Sequence, residues 1–116
     1  MVMTTVGKEE IMTWLAGDSA TAPTHIAFGT GTTAATTNDT TLKTELDRTA
    51  LSTTRSNAEV VFSTSIASTE QNGEDITEVG MLNASSAGDL FQRSVFNAIG
   101  KTSSFDIQID ITLRMK

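Results

Sequence analysis

The chain has 116 residues, 38% of them hydrophobic and 19% charged, and carries a formal charge of −6. Eight Lys and Arg against fourteen Asp and Glu leave little basic surface for phosphate, which argues against nucleic acid as a partner. With no cysteine there is no disulfide framework or thiolate metal site, no apolar run approaches the ~20 residues of a membrane span, and no basic-then-apolar start marks a secretory signal.

Residues 7–17, GKEEIMTWLAG, predict a short amphipathic helix. Ile11, Trp14 and Leu15 fall at i, i+3 and i+4 and make one apolar stripe. Glu9 and Glu10 are placed in the first turn, where the helix dipole favours anions, and Gly17 is placed to end the helix. DSATAP follows as a loop, with Pro23 preventing the helix from resuming.

THIAF (24–28) predicts a short strand running into GTGTTAATTND, a long flexible loop. TTLKTELDR (40–48) predicts a second short helix, with Leu42 and Leu46 as an i, i+4 pair and Asn38 or Asp39 as N-cap.

From residue 49 the period changes to 2. Ala50–Arg55 is a weak strand, and AEVVFSTSIA (58–67) a better one with Val60, Phe62, Thr64 and Ile66 on one face. STEQNGED (68–75) centres on Asn-Gly, the signal of a hairpin turn. ITEVGMLNASSAGDLFQRSVF (76–96) predicts two strands, near 77–83 and 90–96, joined through Ser85–Gly88. Its arms carry apolar residues on both faces: Phe91 and Val95 with Arg93 on one side, Leu90 and Phe96 with Gln92 and Ser94 on the other. Across from them Val79 and Met81 share a face and Leu82 takes the opposite one. The second apolar face calls for a cover, either the N-terminal helix through Trp14 and Leu15 or another subunit. NAIGKTSS (97–104) reads as a connection, and FDIQIDITLRMK closes the chain with six apolar residues alternating with polar ones.

By count the chain holds 21 Thr and 11 Ser, and β-branched Thr suits a half-buried pleated surface. Consecutive strands with short turns imply an antiparallel sheet. The expected fold is mainly β: a small antiparallel β-sandwich or open barrel of five or six strands, with two short helices near the N-terminus. One domain is expected over 1–116, with a helical segment at about 1–20 and a β-rich body at about 24–116.

Candidate chemistry is sparse. Gly29-Thr30-Gly31-Thr32-Thr33-Ala34 matches the G-x-G-x-x-G/A dinucleotide fingerprint, but the following Ala-Thr-Thr-Asn-Asp does not open a helix, so a glycine-rich loop is the better reading. His25, the single histidine, lacks the partners of a metal site. Glu70, Glu74 and Asp75 crowd the Asn-Gly turn without the spacing of a calcium loop. Asp106 and Asp110 are four strand residues apart, ~13 Å, too far for two-carboxylate hydrolysis. With no Tyr and one Trp there is no aromatic platform for a glycan. No catalytic, cofactor or metal residues are assigned, and no small-molecule substrate is expected.

The order of the segments carries a resemblance. A helix ending WLAGDSATAP, then THIAFGTGTT, NDTTLKTELDR and ITEVGMLNASSAGDLFQRSVF, and a closing strand after IGKTSSF, resemble small structural proteins of tailed bacteriophages and archaeal tailed viruses. Those tail-fibre, tail-collar and baseplate components share a pattern close to P-x-x-I-A-x-G-T-G, D-T-x-L-x-x-E-x-x-R and E-x-G-L-F-N-A…G-x-L-F-x-R-x-V-F, matched here at Ile26–Gly31, Asp39–Arg48 and Glu78–Phe96. No fibre shaft or collagen-like repeat appears, so the resemblance implies an attachment or baseplate portion. It further implies a virion location and partners among other copies and other virion proteins. A capsid decoration or neck protein, or a calcium- or glycan-binding β module, is the alternative. Trp14, Leu15, Leu82, Leu90, Phe96, Gly29 and Gly31 are the interface candidates, and Glu78 is expected to pair with Arg48 or Arg93.

Overall fold

The computed structural model describes residues 1–115. In chain order its elements are β1 (Val2–Met3), α1 (Thr5–Leu15), β2 (His25–Gly29), β3 (Glu45–Ala50), β4 (Ser52–Ser56), β5 (Glu59–Ile66), β6 (Asp75–Leu82), β7 (Leu90–Gly100) and β8 (Ile107–Arg114). They build a five-stranded sheet of order β1-β7-β6-β2-β3 and a three-stranded sheet of order β4-β5-β8. All pairings are antiparallel, and neither sheet closes into a barrel. The mainly β expectation therefore holds, with more strands and one helix fewer than the pattern predicted.

Helix α1 starts earlier than the sequence pattern indicated. The Thr4 hydroxyl accepts the Gly7 N–H at 2.9 Å as N-cap, so Glu9 and Glu10 lie one turn further in. At the other end the Gly17 N–H bonds the Trp14 carbonyl and the Asp18 N–H bonds that of Thr13, with Gly17 at φ +85°. This paired closure needs the left-handed backbone that glycine adopts without strain. Gly7 is buried against the backbone of Phe91, where any β-carbon would overlap the carbonyl.

The second predicted helix does not form. Leu42 and Leu46 serve two different apolar clusters, which one face of a helix could not do. Residues 45–50 instead pair with β2 as β3, and the register skips Leu46 between Phe28 and Gly29. The Asn72-Gly73 turn also departs from expectation. It joins β5 to β6, which belong to different sheets, so it crosses between layers and closes no hairpin. Gln71 and Gly73 adopt φ of +56° and +88°, and the buried Lys101 ammonium donates to Asn72 Oδ1 at 3.0 Å.

The β6–β7 hairpin is present, and β7 extends through Gly100, absorbing half of the predicted connection. Two register shifts resolve its two-faced pattern. One, between Ile76 and Glu78, turns Ile76 to the same cluster as Val79 and Met81. The other sets Leu82 opposite Leu90 and Met81 opposite Gln92, leaving Phe91 as the extra residue. Phe91 thus joins the main cluster while Arg93 lies opposite Gly80, so Phe91 and Arg93 do not share a face as strict alternation implied.

The main apolar cluster draws on both sheets. Ile26, Phe28, Ile76, Val79, Met81 and Phe91 meet Phe62, Ile66, Ile109 and Ile111. A second, smaller cluster of Ala27, Leu42, Leu82 and Leu90 lies apart from it. The hairpin's second face is therefore covered from within the chain, by the segment between β2 and β3 that carries Leu42.

Candidate functional site: a buried carboxylate–guanidinium cluster

The chemistry-bearing residues of the chain converge on Glu78, in the middle of β6. Glu78, opposite Val95, and Arg93, opposite Gly80, lie diagonally on neighbouring strands, and both side chains are 0% exposed. Arg93 Nε donates to Glu78 Oε1 at 2.8 Å, and the Lys43 N–H reaches the same oxygen at 2.9 Å. The N–H groups of Gly31 and Thr44 each donate to Glu78 Oε2 at 2.8 Å. One carboxylate thus takes four donors from β7, from the glycine loop and from the stretch just before β3.

The glycine spacing follows from this geometry. A β-carbon at Gly31 would overlap the Glu78 carboxylate, and one at Gly29 would overlap the Thr44 carbonyl. The Thr77 hydroxyl adds a bond to the Gly31 carbonyl at 2.7 Å. The loop that resembled a dinucleotide fingerprint does offer one backbone N–H, that of Gly31, to an anion, but the anion is the chain's own Glu78.

Asp39 completes the cluster. Arg93 Nη1 donates to Asp39 Oδ2 at 3.1 Å, and Lys43 Nζ lies 3.2 Å from Oδ1. The Thr36 N–H and hydroxyl also donate to it, at 3.0 and 3.1 Å. Two carboxylates therefore face two cations. Burial alone pushes the Asp39 carboxyl up, but donors from Thr36, Lys43 and Arg93 outweigh it and bring it down to about 2. Burial likewise opposes ionisation of Glu78, and the Lys43 and Thr44 N–H groups, Arg93 and the Gly31 N–H together hold it below the usual carboxylate range. Arg93 Nη2 and Gln92 Nε2 are buried without a hydrogen-bond partner among the described residues. The guanidinium is thus incompletely satisfied, which fits a cluster that fixes geometry more than it adds stability.

Of the two arginines expected beside Glu78, Arg93 reaches it and Arg48 does not. Arg48 pairs with Glu45 at 2.8 Å and donates to the carbonyls of Ala84 and Ala87, tying β3 to the hairpin turn. The interface candidates separate in the same way. Leu82 and Leu90 are buried in the second cluster, and Gly29 and Gly31 are enclosed by close backbone approach, so none of the four presents an outward surface. Phe96 is half-buried against the main cluster. Trp14 stacks on Phe91 with ring centroids 6.3 Å apart and donates to the Ala20 carbonyl, yet stays 38% exposed. Leu15 is 79% exposed.

The sequence pattern singled out Asp39 only as a helix cap and passed over Lys43 and Lys101. An i, i+4 Asp–Lys spacing was the visible signal for the first pair. His25 opens β2 and its Nδ1 lies 2.8 Å from the Thr24 hydroxyl. Among the described residues no group of three or more His, Cys, Asp and Glu side chains is placed to hold a metal ion, and no helix is long and apolar enough to cross a membrane. Comparison with protein-family models, with curated proteins and with solved structures returns no match.

Proposed function

We propose that the protein is a structural, non-enzymatic subunit of a tailed-virus particle, assembling in several copies in the tail at a baseplate, tail tip or fibre-attachment ring. In this reading the two sheets are the layers of a small β-sandwich, and the subunit's partners are other copies of itself and other virion proteins.

One observation carries the proposal. Eight of the residues that carry the resemblance to tail proteins (Gly29, Gly31, Asp39, Leu42, Glu78, Leu82, Leu90 and Arg93) lie in one buried region, and its ionisable groups are spent on each other and on backbone N–H groups. A carboxylate with four donors and no exposure is poorly placed to take a proton from a substrate. The same bonds join the glycine loop, the approach to β3 and the hairpin into one rigid body. A subunit that transmits position within a particle needs that rigidity. Its outer surface keeps large apolar side chains, among them Met12 at 57%, Leu15 at 79% and Met115 at 81% exposure. Such side chains suit contact with neighbouring subunits.

The test is to carry an epitope-tagged copy through virus production and to look for it by immunogold labelling of purified particles. Label at a fixed position on the tail is the expected result. Particles free of label, with the tagged protein left as a soluble monomer in the lysate, would overturn the proposal.

A further inference from the structure

Strand β8 forms one edge of the three-stranded sheet, with β5 on one side and, among the described residues, no strand on the other. Its eight residues pair with β5 in an unbroken register, from Glu59↔Arg114 to Ile66↔Ile107, with no bulge. Among its described residues β8 has no proline, bulge or inward charge to blunt the edge, and its outward charges are of both signs, Asp110 and Arg114. The Met115 N–H bonds the Ala58 carbonyl at 2.9 Å, which marks the odd-numbered residues as those bonded to β5. The N–H and carbonyl groups of Gln108, Asp110, Thr112 and Arg114 therefore point to the open edge. All four residues are exposed.

We infer that this edge binds a second copy of the same chain, β8 against β8 in antiparallel fashion about a two-fold axis at Thr112. Charge selects the register. Only even-numbered residues offer peptide groups, so the axis falls at an even residue or between two of them. An axis at Asp110 sets Asp110 against its own copy, and like charges directly opposite are unfavourable. An axis level with Ile111 sets Asp110 against Thr112 and Arg114 against Gln108, and neither charge gains an opposite partner. An axis at Thr112 sets each Asp110 opposite an Arg114 and bonds Thr112 to its own copy. Arg114 already contacts Glu59 at 2.6 Å and is 58% exposed, so it can bridge Glu59 and the incoming Asp110. On the inner face the same register lays Ile111 against Leu113 and brings Met115, 81% exposed in the single chain, against Ile109. The two three-stranded sheets would then run on as one.

The other open edges fit less well. Strand β3 ends the five-stranded sheet, but its pairing with β2 is bulged at Phe28/Gly29 and its Arg48 is already held by Glu45 and the Ala84 and Ala87 carbonyls. Strand β4 has five residues, S-T-T-R-S, with one charge and no opposite sign to meet it in a copy of itself. The outer edge of β7 beyond β1, from residue 94 onward, carries no charged side chain and so gives no register. The pairing is independent of any role in a virus particle.

The absence of cysteine makes the test free of background. Thr112→Cys puts two thiols on the axis, where paired residues sit ~5.5 Å apart between α-carbons, within the ~4.4–6.8 Å of a disulfide. Mild oxidation should convert most of this variant to a covalent dimer, while Thr54→Cys on β4 stays largely monomeric. Sedimentation velocity of the unmodified chain from about 5 to about 500 μM should show monomer giving way to dimer. Thr112→Pro removes an outward N–H without touching the β5 ladder, so it should keep the native far-UV spectrum and lose the dimer. If that variant does not fold, the cross-linking pair decides alone. A monomer across the whole range, or equal cross-linking at positions 54 and 112, would overturn the inference.

Discussion

Replacing Glu78 with glutamine keeps its shape and removes its charge, and the consequences can be counted. In the wild type each carboxylate oxygen accepts two donors: Arg93 Nε and the Lys43 N–H on one, the Gly31 and Thr44 N–H groups on the other. Glutamine offers one oxygen and one NH2 group. Whichever way it is turned, two donors face a donor. Arg93, 0% exposed, is left with Asp39 as its one charged partner. Breaking a buried pair by neutralising one member costs about 3–5 kcal/mol, and the stranded donors fall within that range since the terms overlap. A domain of this size has about 5–15 kcal/mol in total, so the variant retains a fraction of its stability. With a urea slope of about 1.5 kcal/mol/M the unfolding midpoint falls by roughly 2–3 M. Replacing both Glu78 and Arg93 with leucine separates charge from geometry. The double variant leaves Asp39 as the cluster's remaining buried charge, still met by Lys43 and Thr36, but the N–H groups of Gly31, Lys43 and Thr44 lose their acceptor, and it stays at least about 2 kcal/mol below wild type. A glutamine variant within about 1 kcal/mol of wild type, or a leucine pair that regains full stability, would refute the reasoning.

Gly31→Ala drives a β-carbon into the Glu78 carboxylate and should lower the melting temperature by about 10 °C in a calorimetric scan. Leu82→Ser empties part of the second cluster and should cost about 3 kcal/mol in urea unfolding, whereas Phe96→Ser, at a half-buried site, costs about half as much. Glu78 and Asp39 are held below their unfolded values, so the stability they supply is present above about pH 4.5 and is lost as pH falls toward about 2. Asp39→Asn should flatten the acid limb of stability against pH. Arg48→Ala releases the Ala84 and Ala87 carbonyls and should speed limited proteolysis at 84–88, with a loss of about 1 kcal/mol.

The sequence was legible where side-chain periodicity and local turn chemistry decide the outcome. Six alternating residues marked β8, and Gly17 marked the end of α1, because a strand face and a left-handed cap are local demands. It was misleading where a distant group outbids a local preference. Leu42 and Leu46 have helical spacing, yet the Lys43 and Thr44 N–H groups that would serve a helix are claimed by Glu78, more than thirty residues away. Asn72-Gly73 has the backbone of a tight turn, but nothing local records whether its flanking strands pair with each other or pass to separate sheets. The register shifts at Ile76 and Phe91 were equally hidden, and each moved a side chain to the opposite face. Arg93 as partner of Glu78 was within reach of the pattern, since both lie on one hairpin. Asp39 as the third member was not, since its position depends on how the intervening loop folds back.

That loop changes what a two-faced hairpin implies. Apolar residues on both sides of β6 and β7 pointed either to the helix or to a neighbouring subunit as the cover. Helix α1 does touch the hairpin, through Gly7 against the Phe91 backbone and Trp14 on the Phe91 ring, on the side of the main cluster. The opposite face is closed by Leu42, which lies against Gly80, where a β-carbon would crowd the Leu42 and Leu90 methyls, and by the backbone around Glu78. Glu78 is what keeps Leu42 there, because its carboxylate holds the N–H of the very next residue. A polar cluster thus positions an apolar lid over the second face of the hairpin at Leu82 and Leu90. The surfaces we propose for assembly are the open edge of β8 and the exposed Met12, Leu15 and Met115. Substitutions at Leu82 should therefore register in stability, and substitutions at Leu15 or Thr112 in association.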